Sequence, residues 1–317
     1  MENKKVLFIT FDMSGYYDGV HDELKRRYQT VDYYNTAAIK FKYKNAFQKV
    51  SAFFYKLFTG KKLKNYYKYS QVINSIGGRK YDLTLVIRPD VFFDSQLETL
   101  KSKSDRFIAY YHDSINNIKR KKDVIHFFDK VYSYEKKDVA NYNLHFISNF
   151  IYFDKPADGP DSTVDGFSVM SNDYRVSTLK KLAAYFQKHN KTYEFFVMND
   201  GKLLTDDLVT FIDKRMYNNQ VVEHIKKARI VVDIHKYGVQ DGLTFRVFEA
   251  MGFRKKLITI NKDIVNYDFY NPNNIVVIDE NKEIDIPASF FDTAYEEVPA
   301  EIYNKYTVAA WLDKITG

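Results

Sequence analysis

The sequence predicts an α/β protein built from two Rossmann-like domains joined by one linker. Three observations carry this reading. The chain has 317 residues, too many for one small core and about right for two domains of ordinary size. Short β-type runs alternate with helical patterns over short loops in both halves, as parallel sheets require. Between the halves, residues 153–165 read FDKPADGPDSTVD, with two of the six prolines set among acids and glycine.

The elements follow in order. The apolar run 6–10 is the first strand; it lacks the cleavage region of a signal peptide. Helices are expected over 19–28, 46–58 and 64–76, and strands over 83–88, 106–112, 130–134 and 145–150. In 46–58 the apolar residues fall at 47, 50, 53, 54, 57 and 58, a helical stripe, while Gln48, Lys49, Ser51, Tyr55 and Lys56 lie off it. The second half offers strands at 166–170, 193–198, 228–234, 256–260 and 274–279. Its helices are expected over 175–189, 221–227 and 244–251. A last helix, 302–315, carries the single tryptophan, Trp311. The expected domains are 1–155, with a basic amphipathic insertion at 40–80, and 166–300. Residues 156–165 form the linker and 301–317 the C-terminal helix.

Composition removes several classes. At 45% hydrophobic residues the chain has material for cores, and no apolar run approaches the roughly 20 residues of a membrane span. The absence of cysteine excludes disulfides, thiolate metal sites and cysteine nucleophiles, and points to the cytosol. No G-x-G-x-x-G follows the first strand, and neither a P-loop, a G-x-S-x-G elbow, an H-E-x-x-H pair nor a D-x-D pair occurs. A chain of this kind that handles a nucleotide must neutralise phosphate with helix ends and basic side chains.

The densest signal is 231–252, VVDIHKYGVQDGLTFRVFEAMG. A buried strand runs into a glycine loop and then a helix, with Asp241 and Gly242 where an N-cap belongs and Leu243 and Thr244 leading into the first turn. Backbone N–H groups at such a start take anionic oxygens. Arg246 and Glu249 share a helical face, so the acid can bind a ribose diol and the arginine a phosphate. The competing reading is a plain ion pair. His235 closes the strand before the loop, where it can touch a ligand or serve as a structural histidine. His112 and Asp113 close the apolar strand 107–111, and ligands of α/β sheets gather at such carboxyl ends. One of the two can act as proton acceptor or hydrogen-bond donor. The bland alternative for this pair is a loop histidine with an aspartate cap; Asp18 and His21 in the first loop are weaker candidates for the same work.

Charge is localised. Eleven Lys/Arg and no acid lie between Tyr33 and Tyr81, so the rest of the chain is net negative although the total is +7. Basic residues interleaved with aromatics suit an anionic membrane surface or nucleic acid, with a solvated core helix as the structural alternative.

DGLTFRVFEAMG, followed by KKLITINKDIVNYDFYNPNNIVVID, resembles the donor-nucleotide region of GT-B glycosyltransferases, closest to those of bacterial lipopolysaccharide or capsule assembly. FSVMSNDYR, VLFITFDMSGYYDGVHDEL and IAYYHDS resemble other parts of the same enzymes. The resemblance implies two Rossmann-like domains facing across a cleft, with the C-terminal helix crossing back to the first. It implies transfer of a sugar from a nucleotide-diphosphate donor to a glycan or lipid-linked acceptor. Glu249 would contact the ribose, Asp241 would face the sugar, in place of the usual Glu, and Arg175 would reach the diphosphate. No metal and no cofactor are expected, no nucleic acid partner is expected, and the enzyme would sit peripherally at the inner face of the cytoplasmic membrane. A nucleic-acid-binding α/β protein and an α/β methyltransferase are the alternatives; the missing glycine-rich loop argues against the latter.

Overall fold

A computed structural model describes residues 2–59, 62–156, 162–201 and 203–317. Lys61 of the basic stretch and 157–161 of the expected linker lie outside the described residues. The chain divides into two compact units, the first ending at Ile147 and the second at Lys314, with 315–317 belonging to the first. The division therefore falls ahead of the proline-rich 156–165 segment.

The first unit holds β1 (Glu2–Thr10), α1 (Asp18–Arg27), β2 (Tyr28–Asn35), α2 (Ala46–Thr59) and α3 (Leu63–Ile76). It continues with β3 (Tyr81–Ile87), α4 (Asp94–Lys101), β4 (Ser104–Tyr111), β5 (Lys130–Ser133), α5 (Lys136–Tyr142) and β6 (His145–Phe146). Its six-stranded parallel sheet has the order β2-β1-β3-β4-β5-β6, so the strand order reverses between β1 and β3. Val6–Ile9 and Phe107–Tyr111 are wholly buried, as strands covered on both faces must be. The edge strand β2, QTVDYYN after its first residue, is only part-buried and too polar to be read as a strand. The strand expected over 145–150 pairs only at its first two residues.

The second unit holds β7 (Val164–Ser171), α6 (Val176–Lys188), β8 (Tyr193–Met198), β9 (Thr210–Ile212), α7 (Asn218–Lys227) and β10 (Ala228–Asp233). α8 (Phe245–Gly252), β11 (Lys256–Thr259), β12 (Ile275–Val277), α9 (Ala288–Asp292), α10 (Ala300–Tyr303) and α11 (Val308–Thr316) complete the chain. This parallel sheet runs β12-β11-β10-β7-β8-β9, with its reversal between β7 and β10. One apolar cluster gathers Leu179, Phe186 and Phe195, and another gathers Val231, Phe248 and Leu257. The expected last helix is broken: the Ile151 N–H bonds the Tyr306 carbonyl at 2.7 Å, and Thr307 turns extended before α11 begins. The glycine of E-A-M-G serves packing, since a Cβ on Gly252 would lie 2.7 Å from the Phe153 ring.

Candidate functional site

In the second unit the polar side chains collect at the carboxyl ends of β7 and β10, the reversal point of the sheet. Arg175, the residue before α6, clamps the Asp173 carboxylate through Nε and Nη2, both at 2.8 Å, and donates Nη1 to the Ile234 carbonyl at 2.6 Å. It thus ties the ends of the two strands together, and its charge is balanced by Asp173. Asp233 ends β10 and accepts from Thr244 Oγ1 at 2.9 Å. That hydroxyl in turn caps α8 by accepting the Arg246 N–H at 3.2 Å. The N-cap is therefore Thr244, two to three residues after Asp241 and Gly242, where the sequence suggests it.

Asn261 holds that loop, donating Nδ2 to the carbonyls of Asp241 at 3.1 Å and Gly242 at 3.2 Å. Leu243 points its side chain into the core, and its carbonyl accepts from Asn149 at 2.8 Å. Arg246 and Glu249 do pair, Nη1 to Oε2 at 2.5 Å, but not on the surface, because Glu249 is fully buried. Its other oxygen lies 2.6 Å from the Tyr152 hydroxyl, which also meets the Asn218 amide at 2.8 Å. Burial raises the Glu249 pKa against the lowering effect of Arg246. The Arg246 guanidinium also sits 5.8 Å from the centre of the Phe167 ring.

Two buried polar atoms at this strand end have no protein partner, Asp233 Oδ2 and His235 Nδ1. Burial pushes the His235 pKa down, so the ring is neutral near pH 7 and offers either a donor or an acceptor. An unpaired buried atom of this kind costs about 1–3 kcal/mol, which a hydroxyl-rich ligand would recover.

The first unit has its own polar group at the carboxyl ends of β1, β3 and β4. Asp12 organises the loop after β1, accepting N–H bonds from Ser14, Gly15 and Tyr17 at 2.8–2.9 Å. This brings the Tyr17 hydroxyl to 2.6 Å from His112 Nδ1. Burial, and then the nearby Lys121, push the His112 pKa down to about 4, while burial keeps the Tyr17 hydroxyl protonated. With the Tyr17 hydroxyl donating to Nδ1 the ring proton sits on Nε2, and in the other tautomer Nδ1 donates to Tyr17. In the first arrangement His112 is a neutral Nε2 donor, and in both its lowered pKa makes it a poor base at pH 7.

Asp113 turns away into its own loop, accepting from the Ser114 N–H at 2.8 Å and Asn117 Nδ2 at 2.6 Å. Asp18 lies exposed at the start of α1; partial burial and then Asp12 raise its pKa. His21, one turn on, stacks on Tyr33 with centroids 4.3 Å apart, and burial lowers its pKa.

Three residues here had no signal in the sequence. Lys121 is fully buried, donates to the Asp113 carbonyl, and is lowered by burial to about 8. Arg88 takes a left-handed backbone, φ +65°, and chelates Asp90 at 2.8 and 2.9 Å. Tyr152, the buried partner of Glu249, precedes the sheet it serves. Only Asp233 was within reach of sequence reading, as the acid of VVDIH.

No protein-family model and no curated protein matches the chain. Solved structures do. An alpha-glucosyltransferase in complex with UDP and a 13-mer DNA containing a HMU base is similar at TM-score 0.61 and 10% identity, over 99% of this chain and 100% of that one. A UDP-forming alpha,alpha-trehalose-phosphate synthase from Burkholderia xenovorans, in complex with glucose-6-phosphate, gives TM-score 0.59 and 9% identity over 98% and 99% of the two chains. A UDP-GlcNAc 2-epimerase from Methanocaldococcus jannaschii gives TM-score 0.52 and 10% identity over 99% of both. The chain therefore has the two-Rossmann-domain GT-B fold. That fold carries transferases and an epimerase alike, so activity has to be argued from the site.

Proposed function

We propose that this chain is a glycosyltransferase that takes a hexosyl or deoxyhexosyl unit from a nucleotide-diphosphate donor. One observation carries the reading: the end of β10 sets two unpartnered buried polar atoms, Asp233 Oδ2 and His235 Nδ1, beside the Thr244-capped start of α8. A carboxylate and a neutral imidazole suit sugar hydroxyls. A helix start with Arg246 in its first turn suits the diphosphate. Glu249 contributes from beneath, holding Arg246 in place; contact with the ribose would require it to exchange the Arg246 or Tyr152 bond for one to the diol. Arg175 reaches a diphosphate only by releasing Asp173, so its role is to fix the strand ends. Asp241 lies on the loop ahead of the capped helix, and the sequence resemblance would have it face the transferred sugar. In the first unit His112, as a neutral hydrogen-bond donor, suits a phosphate or sugar oxygen. Asp18 and His21 are left for the acceptor side. The acceptor is a glycan or a lipid-linked saccharide, of the surface-polysaccharide kind that the sequence resemblance implies.

Thermal-shift screening against UDP, GDP, dTDP and CMP sugars, followed by calorimetry on the best, tests the donor site. Asp233→Ala and Arg246→Ala should each weaken binding about 10- to 100-fold, the loss of a charge-assisted hydrogen bond. Arg246→Ala should act on the diphosphate more than on the nucleoside. No stabilisation by any nucleotide, or wild-type affinity in both variants, overturns the assignment. Epimerised nucleotide sugar without transfer to any saccharide would replace it with an epimerase.

A further inference from the structure

Helix α2 is amphipathic the wrong way round for a core helix. Phe47, Val50, Phe53, Phe54, Leu57 and Phe58 are 81, 52, 63, 49, 66 and 81% exposed. The face turned inward is instead Gln48, Ser51, Ala52 and Tyr55, at the i, i+3, i+4, i+7 spacing of one helical stripe. α2 packs on α3, which commits Tyr69, Val72 and Ile76 to the core of the first unit. The apolar stripe is therefore presented outward by an anchored support. Contiguous exposed patches of this kind mark interaction sites.

Charge identifies the occupant. Lys49 and Lys56 border the stripe, Lys40, Lys42 and Lys44 precede it, and Lys62 and Lys64 follow it, all exposed. No acid lies between Tyr33 and Tyr81. A second copy of the chain would bring two such basic surfaces together. Nucleic acid would use the lysines but leave six apolar side chains in water.

We propose that α2 docks the protein on an anionic lipid bilayer, lying in the interfacial plane with Phe and Leu among the acyl-chain ends and the lysines at the headgroups. With fourteen residues, about 21 Å at the helical rise, it lies on the bilayer and does not span it. Among the described residues no helix is long and apolar enough to cross a membrane. This inference does not rest on the transferase reading, since lipid binding is measured without nucleotide or acceptor.

The test is co-sedimentation of the full chain with phosphatidylglycerol–phosphatidylcholine vesicles, at low salt and near 0.5 M salt. Binding should need the anionic lipid and fall with salt as headgroup charges are screened. Phe54→Ser/Leu57→Ser should lower partitioning about 10-fold or more by removing apolar contact, and Lys49→Glu/Lys56→Glu should do so by removing charge. Both pairs change exposed side chains, and circular dichroism checks that the fold is kept. Equal binding to pure phosphatidylcholine, or none at low salt, overturns the proposal. So does a dimer in sedimentation velocity that Phe54→Ser/Leu57→Ser dissolves in a protein that ignores vesicles. RNA or DNA binding that survives the serine pair, without vesicle binding, overturns it too.

Discussion

Arg246 and Glu249 form an ion pair at 2.5 Å in which the carboxylate is fully buried and the guanidinium keeps an edge toward solvent. The Tyr152 hydroxyl occupies the other carboxylate oxygen. A buried pair adds little net stability, but removing one partner leaves an uncompensated charge. Glu249→Ala should therefore destabilise by about 3–5 kcal/mol, and Tyr152→Phe by about 1.5–3 kcal/mol, since it deletes a hydrogen bond to a charged group. Urea unfolding of the three proteins checks the order. A Glu249→Ala variant as stable as wild type would mean that the pair is not held as described.

Thr244 carries two bonds through one hydroxyl, accepting from the Arg246 N–H and donating to Asp233 Oδ1. Thr244→Val keeps the shape and loses both, which uncaps α8 and strips Asp233 of its hydroxyl partner. The expected cost is about 2 kcal/mol, with Thr244→Ser close to wild type. Equal unfolding midpoints for valine and serine would remove the cap from the account.

What could be read in the sequence was decided by burial. β1, β4 and β10 are apolar runs covered on both faces, and such runs announce themselves. β2 is an edge strand with polar residues and β9 an edge strand of only three residues, so neither gives an apolar run long enough to stand out. At the site, the strand–loop–helix 231–252 was legible because the loop glycines and capping threonine are local signals. The cap itself was placed too early, since only the Asp233–Thr244 bond decides where the helix starts. Tyr152 and Lys121 were invisible: each acts on a residue brought near by the fold, and neither type nor spacing records that. The stripe on α2 was read correctly as a stripe, but periodicity does not say which face is inward. Only the packing of Gln48, Ser51, Ala52 and Tyr55 against the protein answers that.

Donor binding through a helix start and an arginine predicts transfer that survives EDTA, because the chain has no D-x-D pair to present a metal-bound diphosphate. Initial rates with and without chelator measure this. Complete loss restored by Mn²⁺ or Mg²⁺ would transfer charge neutralisation to a metal and away from Arg246.

His112 gives a prediction in pH. Its native pKa is pushed down to about 4, whereas an unfolded histidine titrates near 6.5. Between those values the unfolded chain binds the proton and the native chain does not, so stability falls as pH drops through this window. The loss should approach about 3 kcal/mol by pH 4, at roughly 1.4 kcal/mol per unit. Carboxylates titrate nearby, so the informative quantity is the difference between wild type and His112→Asn, measured by urea unfolding at each pH from 7 to 4. That difference should grow toward acid, with the wild type losing more. Kinetics give the second readout. A neutral ring keeps its proton state across this range, so turnover should show no limb near 6.5 that depends on His112. If such a limb appears and is absent from His112→Asn, the imidazole titrates normally and acts as a base. The buried Tyr17–His112 contact would then not hold the ring neutral.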